Sequence, residues 1–165
     1  MNTIQNVDLT PQKFLRTLSI IHLALITGQI LFALVTIFLN SDKDIVIRYT
    51  NDVFVNVLPI LTIAGILTGK ILFKKQLIAL QSKESLKEKL TGYQSAFIVR
   101  LALLEGPCLF GIVCYLLTGN LFHIIIAGLI ILYFISLRPG KEKVETDLAL
   151  PYEQKVQFDK SEEIV

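Results

Sequence analysis

The chain has 165 residues, of which 53% are hydrophobic and 18% charged, and its formal net charge is only +2. So small a charge, with no Lys- or Arg-rich block standing apart from a hydrophobic flank, argues against a nucleic-acid partner. So large an apolar fraction excludes an ordinary soluble domain and predicts a protein whose main partner is the lipid bilayer.

Four apolar runs are long enough to cross a membrane, since a hydrocarbon layer of about 30 Å takes roughly 20 helical residues. None alternates with period two, so each is predicted to be a helix whose backbone groups pair within the segment. The first exceeds the apolar core of a cleaved signal peptide and is expected to stay in the mature protein. We predict an all-α membrane protein with a four-helix transmembrane domain over 1–137 and a polar cytoplasmic tail over 138–165; the helices lie at 14–39, 53–73, 93–117 and 121–137. The tail is predicted to be solvated, and a short surface helix near 141–148 is the alternative.

The orientation follows from the lysines and arginines of the short connections, which favour the cytoplasmic side. The residues before the first run, the connection after the second and the start of the tail are basic. The other side has two cations, diluted by three aspartates, and a neutral turn. Both termini are therefore predicted to be cytoplasmic. The cations on that side are Lys13, Arg16, Lys74, Lys75, Lys83, Lys87, Lys89, Arg138, Lys141 and Lys143.

The first and third runs resemble one another. Placing 20–39 over 98–117 without a gap aligns nine identical residues in twenty, including Gly28 with Gly106 and Phe32 with Phe110. A duplicated pair of hairpins would have both copies in the same orientation, related by an axis along the membrane normal. We therefore predict two tandem hairpins as a parallel internal repeat, with the first and third helices opposite one another.

Glu105 is the most unusual residue of these runs. It is the thirteenth of the 25 residues of 93–117 and lies near the bilayer midplane, where an ionisable group costs roughly 2.5 kcal/mol or more. We predict that it faces the bundle. Pro107 has no N–H for the Leu103 carbonyl, and Gly106 relaxes the strain before the proline, so a kink is predicted here.

Two interpretations of Glu105 stay open. Its repeat equivalent is Thr27, and that of Pro107 is Gln29. A protonated Glu105 that hydrogen-bonds to either residue or to a backbone carbonyl would lock the two copies together. A broken helix beside a midplane carboxylate is also the arrangement with which transporters bind protons, ions or small solutes.

His22, Lys70 and Arg100 fall at one depth near the cytoplasmic end of the bundle. His22 and Arg100 are repeat equivalents. The three residues form a candidate cationic collar for an anionic substrate or lipid headgroup in the inner leaflet. The alternative is that Lys70 and Arg100 extend to the inner interface and His22 pairs locally.

The sequence contains no motif of an enzyme. No metal-ligand spacing, nucleophile motif or phosphate-binding loop occurs, so neither a metal nor another cofactor is predicted. Cys108 and Cys114 lie too far apart along one helix for a disulfide and lack the spacing of a redox pair.

The segment "EGPCLFGIV" resembles the carboxylate helix of rotary ATPase proteolipid (c) subunits. In that family a mid-membrane Glu is followed five and six positions later by an aromatic residue and a glycine, and here Phe110 and Gly111 follow Glu105 in this way. The resemblance implies that Glu105 binds a proton or Na⁺. The whole chain resembles small four-helix proteins of the bacterial inner membrane, which implies the same location.

Two hypotheses about function follow. The first is an accessory or scaffold protein of the cytoplasmic membrane that acts through helix contacts and its cytoplasmic tail, with a second copy or a membrane complex as partner. The second is a proton- or ion-coupled small transporter, or a proteolipid-like subunit, that uses Glu105.

Overall fold

The computed structural model describes residues 11–41, 47 and 52–160. The predicted N-terminal segment before residue 11, most of the connection over 42–51 and the last five residues lie outside this description. Every regular element among the described residues is a helix. The helices are α1 Pro11–Leu39, α2 Phe54–Gln81, α3 Leu86–Thr118, α4 Leu121–Ser136, α5 Lys141–Asp147 and α6 Tyr152–Lys160.

Three helices, α1, α2 and α3, are each long and apolar enough to cross a membrane. The fourth predicted span matches α4 to within one residue, but its 16 residues rise only about 24 Å. It qualifies as a span only together with α5, from which it is bent by 84°. The prediction of an all-helical protein with apolar spans is confirmed in this form, with three spans or four.

The outer surface of these helices is apolar, as a lipid environment requires. Large aliphatic side chains such as Leu23, Leu34, Ile60, Ile71 and Leu129 are each more than half exposed. A water-soluble domain would bury most of them. The surface is therefore that of an integral membrane protein.

Helix α3 lies at the centre of the bundle. It packs against α2 most extensively and also against α4 and α1, whereas α1 and α2 do not form a closely packed pair. At its end, Gly119 adopts a left-handed conformation (φ 67°) and donates its N–H to the Tyr115 carbonyl at 2.8 Å. The following Asn120 caps α4 by accepting the Phe122 N–H at 3.2 Å, so α3 and α4 form a tight hairpin.

The contacts among the described residues do not match the predicted pair of tandem hairpins. A hairpin of α1 and α2 would place those two helices side by side, but α3 packs against both of them instead. The internal repeat and its symmetry axis therefore stay predictions.

Helices α2 and α3 continue well past the predicted ends of the apolar runs. The basic connection is helical on both sides of a short turn near residues 82–85. With 33 residues, α3 is about 50 Å long, which exceeds the hydrocarbon layer. The length of an apolar run indicates how much of a helix lies in lipid, but the helical hydrogen bonding of the backbone continues beyond the run into water.

The tail is not the solvated segment that the sequence favours: α5 lies where the alternative predicts a short surface helix. Helix α5 runs across the end of the bundle, and Val144, Leu148, Leu150 and Phe158 are buried in the same apolar cluster as Phe14. These side chains cover apolar ends of α1 and α3 that water would otherwise contact. The prediction of a solvated tail followed the polar composition of the segment and gave no weight to the spacing of its few apolar residues.

A helix-ending turn and two side-chain hydrogen bonds hold this tail against the bundle. Ala149 is in the left-handed region (φ 47°), and Leu150 donates its N–H to the Glu145 carbonyl at 3.1 Å. This Schellman ending of α5 turns Leu150 into the core. Two polar contacts then fasten the helices: Tyr93 donates to Asp147 at 3.0 Å, and Lys89 donates to Gln154 at 3.1 Å.

Candidate functional site

Glu105 lies on α3 at the margin of the bundle and is half-buried. The prediction that it faces the interior is therefore met only in part. Among the described residues it has no hydrogen bond or ion pair, and the Cys108 thiol one turn later lies within its electrostatic range. Its carboxyl group therefore has no polar partner within the described bundle.

The two residues predicted to complete a polar centre with Glu105 occupy different environments. Thr27 is exposed on the outer face of α1. Gln29 is only 1% exposed, yet neither its amide nitrogen nor its amide oxygen has a hydrogen-bond partner. Among the described residues no hydrogen bond joins Glu105 to Thr27 or Gln29, so the hydrogen-bonded lock between the two copies is not seen there.

Pro107 is buried within α3, which remains helical on both sides of it. The helix is therefore not broken at this point, although Pro107 cannot donate to the Leu103 carbonyl. Gly65 of α2 lies directly against that oxygen: a Cβ atom at Gly65 would be 2.5 Å from it and 3.2 Å from Pro107 Cγ. The proline and the glycine together bring the backbones of α2 and α3 into close contact.

Sequence reasoning missed this contact, although a signal was present. Gly65 and Gly69 form a Gly-x-x-x-Gly pair, the spacing that allows close approach of membrane helices. Both glycines are buried against α3, with Gly69 next to Arg100 and Leu103.

The same two helices leave an open groove on their outer side. Its volume is about 510 Å³, and its lining is almost entirely apolar. Leu61 and Phe110 form part of its wall. The small residues that line it are Ala64, Gly65, Thr68, Ala102 and Gly106.

In the structure Lys70 and Arg100 lie beside the same residue, Tyr133, whereas His22 pairs with a different one. Arg100 reaches the Tyr133 hydroxyl at 3.5 Å, and the Lys70 ammonium group is 5.7 Å from the centre of the Tyr133 ring. His22 instead donates to the Phe134 carbonyl at 2.8 Å and caps the C-terminal end of α4. This geometry agrees with local pairing of His22, the alternative to its place in a collar.

Two cations that sequence reasoning assigned to the tail join this region. Lys143 of α5 lies within electrostatic range of Arg100 and Tyr133. His22 is within range of both Lys143 and Arg138. The bend between α4 and α5 folds these charges back onto the bundle, which the linear sequence does not reveal.

A polar cluster at the opposite end of the bundle was also missed. Asp52 accepts hydrogen bonds from His123 at 2.8 Å, from Asn120 at 3.0 Å and from the Phe54 N–H at 3.0 Å. Burial alone would raise the pKa of Asp52, but the bonds from Asn120 and His123 outweigh it and lower that pKa. The ionised Asp52 thus fastens the start of α2 to the turn between α3 and α4.

The described residues contain no group of three or more His, Cys, Asp and Glu side chains placed to hold a metal ion. Cys108 and Cys114 are both buried free thiols.

No protein-family model, curated protein or solved structure matches this chain. The resemblances to rotary ATPase proteolipids and to small bacterial inner-membrane proteins therefore stay predictions.

Proposed function

We propose that this integral membrane protein is an accessory or scaffold component of the bacterial cytoplasmic membrane, with both termini on the cytoplasmic side. It acts by holding a transmembrane helix of a partner protein in the groove between α2 and α3. The observation that carries the proposal is the open groove lined by small residues at membrane depth.

Helix association in lipid depends on close packing, since lipid chains are as apolar as the side chains they would replace. Ala64 and Thr68 lie one turn apart on α2, and Ala102 and Gly106 lie one turn apart on α3; all four are exposed. A Cβ atom at Gly106 would meet no atom within 4 Å. The groove therefore has room for the backbone of another helix.

Glu105 supports the same proposal because it borders Gly106 and has no hydrogen bond of its own within the described bundle. A partner helix in the groove with a hydroxyl, amide or basic side chain would satisfy the carboxyl group. Polar contacts of this kind between membrane helices are worth about 0.6–2 kcal/mol.

Site-specific photocrosslinking tests this proposal in native membranes. A benzophenone amino acid at Ala64 or Ala102 should give one discrete crosslinked product with a second protein. The matched controls are Leu34 and Leu129, which are 56% and 57% exposed on α1 and α4 and should give no such product. Equal crosslinking at all four positions would overturn the proposal, as would products with lipid alone. A product that contains only two copies of this chain would replace the partner protein with a homodimer.

A proton or ion site at Glu105 is a second candidate function, favoured by one observation. The half-buried carboxyl group of Glu105 has no hydrogen bond or ion pair among the described residues, although buried polar groups are normally hydrogen-bonded. A bound proton or cation would satisfy this carboxyl group. This candidate matches the predicted transporter or proteolipid-like role.

Carbodiimide labelling separates the two candidates, because this reagent reacts with protonated carboxyl groups that are reached from the lipid phase. If Glu105 exchanges protons, its labelling should decrease as pH rises, and Na⁺ should compete if the ion also binds. Mass spectrometry of the labelled peptide measures this, with Glu105→Gln as the unlabelled control. Labelling that is absent, or that responds neither to pH nor to Na⁺, would exclude an exchanging site.

A further inference from the structure

The cations around Tyr133 come from three different helices. Lys70 is on α2, Arg100 on α3 and Lys143 on α5, and Tyr133 of α4 lies among them. Arg100 is held further by the Phe73 ring, whose centre is 4.8 Å from the guanidinium carbon. This contact restricts the guanidinium group, which uses one N–H for its hydrogen bond to Tyr133.

No close ion pair neutralises this group of charges within the described chain. No carboxylate lies within 4.0 Å of Lys70, Arg100 or Lys143 among these residues. Asp147 is the carboxylate that acts on Lys143, but it also accepts the Tyr93 hydroxyl at 3.0 Å. Like charges repel strongly where the surroundings are less polar than water, so an anion bound among them would relieve the repulsion.

A largely apolar groove lies at the same end of the bundle as these cations. A groove of about 440 Å³ lies between α1 and α4, with Leu23, Ile26 and Ile135 along its wall. Its polar lining consists of Ser19, His22 and the exposed Arg138. His22 is within electrostatic range of both Arg138 and Lys143, and Lys143 is within range of Arg100. Lys143 therefore links the groove to the cations around Tyr133, which face the other side of α4. A ligand with an anionic head and a hydrocarbon chain matches this shape.

We propose that Arg100 and Lys143 bind the phosphate group of an anionic phospholipid, with a lipid chain in the groove between α1 and α4. Lys70 and Arg138 lie on opposite sides of α4 and attract the headgroup at longer range. Arginine forks match phosphate oxygens with paired hydrogen bonds, and lysine adds a point charge. The four cations lie at the end of the bundle that the sequence places on the cytoplasmic side, where anionic headgroups attract basic residues. This site is separate from the groove between α2 and α3 and does not depend on its occupant.

Lipid binding to the purified full chain in a neutral detergent tests the proposal. Native mass spectrometry and thermal unfolding should show retention of phosphatidylglycerol and stabilisation by it, whereas phosphatidylcholine should do neither. The double variant Arg100→Gln/Lys143→Gln should weaken phosphatidylglycerol binding at least about tenfold, since each cation near the membrane surface contributes appreciably. High salt should weaken wild-type binding as well.

Two further variants keep the result interpretable. Arg100 packs on Phe73 and its loss affects folding too, so Lys70→Gln/Arg138→Gln removes two exposed charges instead and should also weaken binding. Lys83→Gln/Lys87→Gln, in which an exposed lysine of the turn after α2 and another in the first turn of α3 are replaced, should leave binding unchanged. Equal binding of both lipids, or an equal loss in the control, would overturn the proposal.

A parallel titration with inorganic phosphate and glycerol phosphate identifies the source of the phosphate group. Stabilisation by these soluble anions at millimolar concentration, without retention of phosphatidylglycerol, would overturn a lipid ligand. Retention of the lipid in the presence of excess soluble phosphate would support it.

Discussion

Replacement of Phe158 by alanine is expected to release the end of the chain from the bundle, at a cost of about 3–5 kcal/mol. Phe158 is fully buried in the same cluster as Phe14, Leu18 and Leu90. The substitution removes its ring from that cluster and leaves a cavity that α6 cannot close without moving. The direct measurement is the rate of trypsin cleavage at Lys155 in the folded protein, together with the thermal unfolding temperature.

Tyr152→Ala is the matched control, since it removes another aromatic ring from the same helix. Tyr152 is 81% exposed, and its loss should change the unfolding free energy by no more than about 0.5 kcal/mol. If both variants leave cleavage and unfolding unchanged, the end of the chain is solvated, as its composition alone suggests.

Replacement of Gly65 by alanine should destabilise the bundle by about 1–3 kcal/mol. The new methyl group would lie 2.5 Å from the Leu103 oxygen, a backbone atom that cannot rotate away, and 3.2 Å from Pro107 Cγ. Helices α2 and α3 would have to separate along their contact. Thermal unfolding in detergent measures the loss.

Gly106→Ala is the control for this substitution. A methyl group there would meet no atom within 4 Å, and alanine favours a helix over glycine by up to about 1 kcal/mol. This variant should be as stable as wild type or more so. If the two variants behave alike, Gly65 does not mediate close packing of α2 against α3. Because Gly106 also lines the groove, its alanine variant reports on partner binding without a penalty to the fold.

The candidate sites show which of their residues could be identified from the linear sequence and which could not. Glu105 stands out because a carboxylate is rare in such a run, and Lys70 and Arg100 were placed at one depth by counting from the ends of their helices. Their shared partner, Tyr133, was not foreseen, since it depends on the rotation of α4. Lys143 and Arg138 were assigned to a solvated tail because nothing in their own segment indicates the 84° bend.

The sequence by itself determined that the protein is helical, that it belongs in a membrane and where its apolar segments lie. These properties are local, because each segment must satisfy its backbone in lipid whatever its neighbours are. Only the tertiary structure decided that α3 is central, that Gly65 meets the Leu103 carbonyl, that Asp52 joins His123 and that the tail covers the end of the bundle. These contacts depend on the rotation, depth and tilt of each helix relative to the others, which packing sets across more than one segment at once.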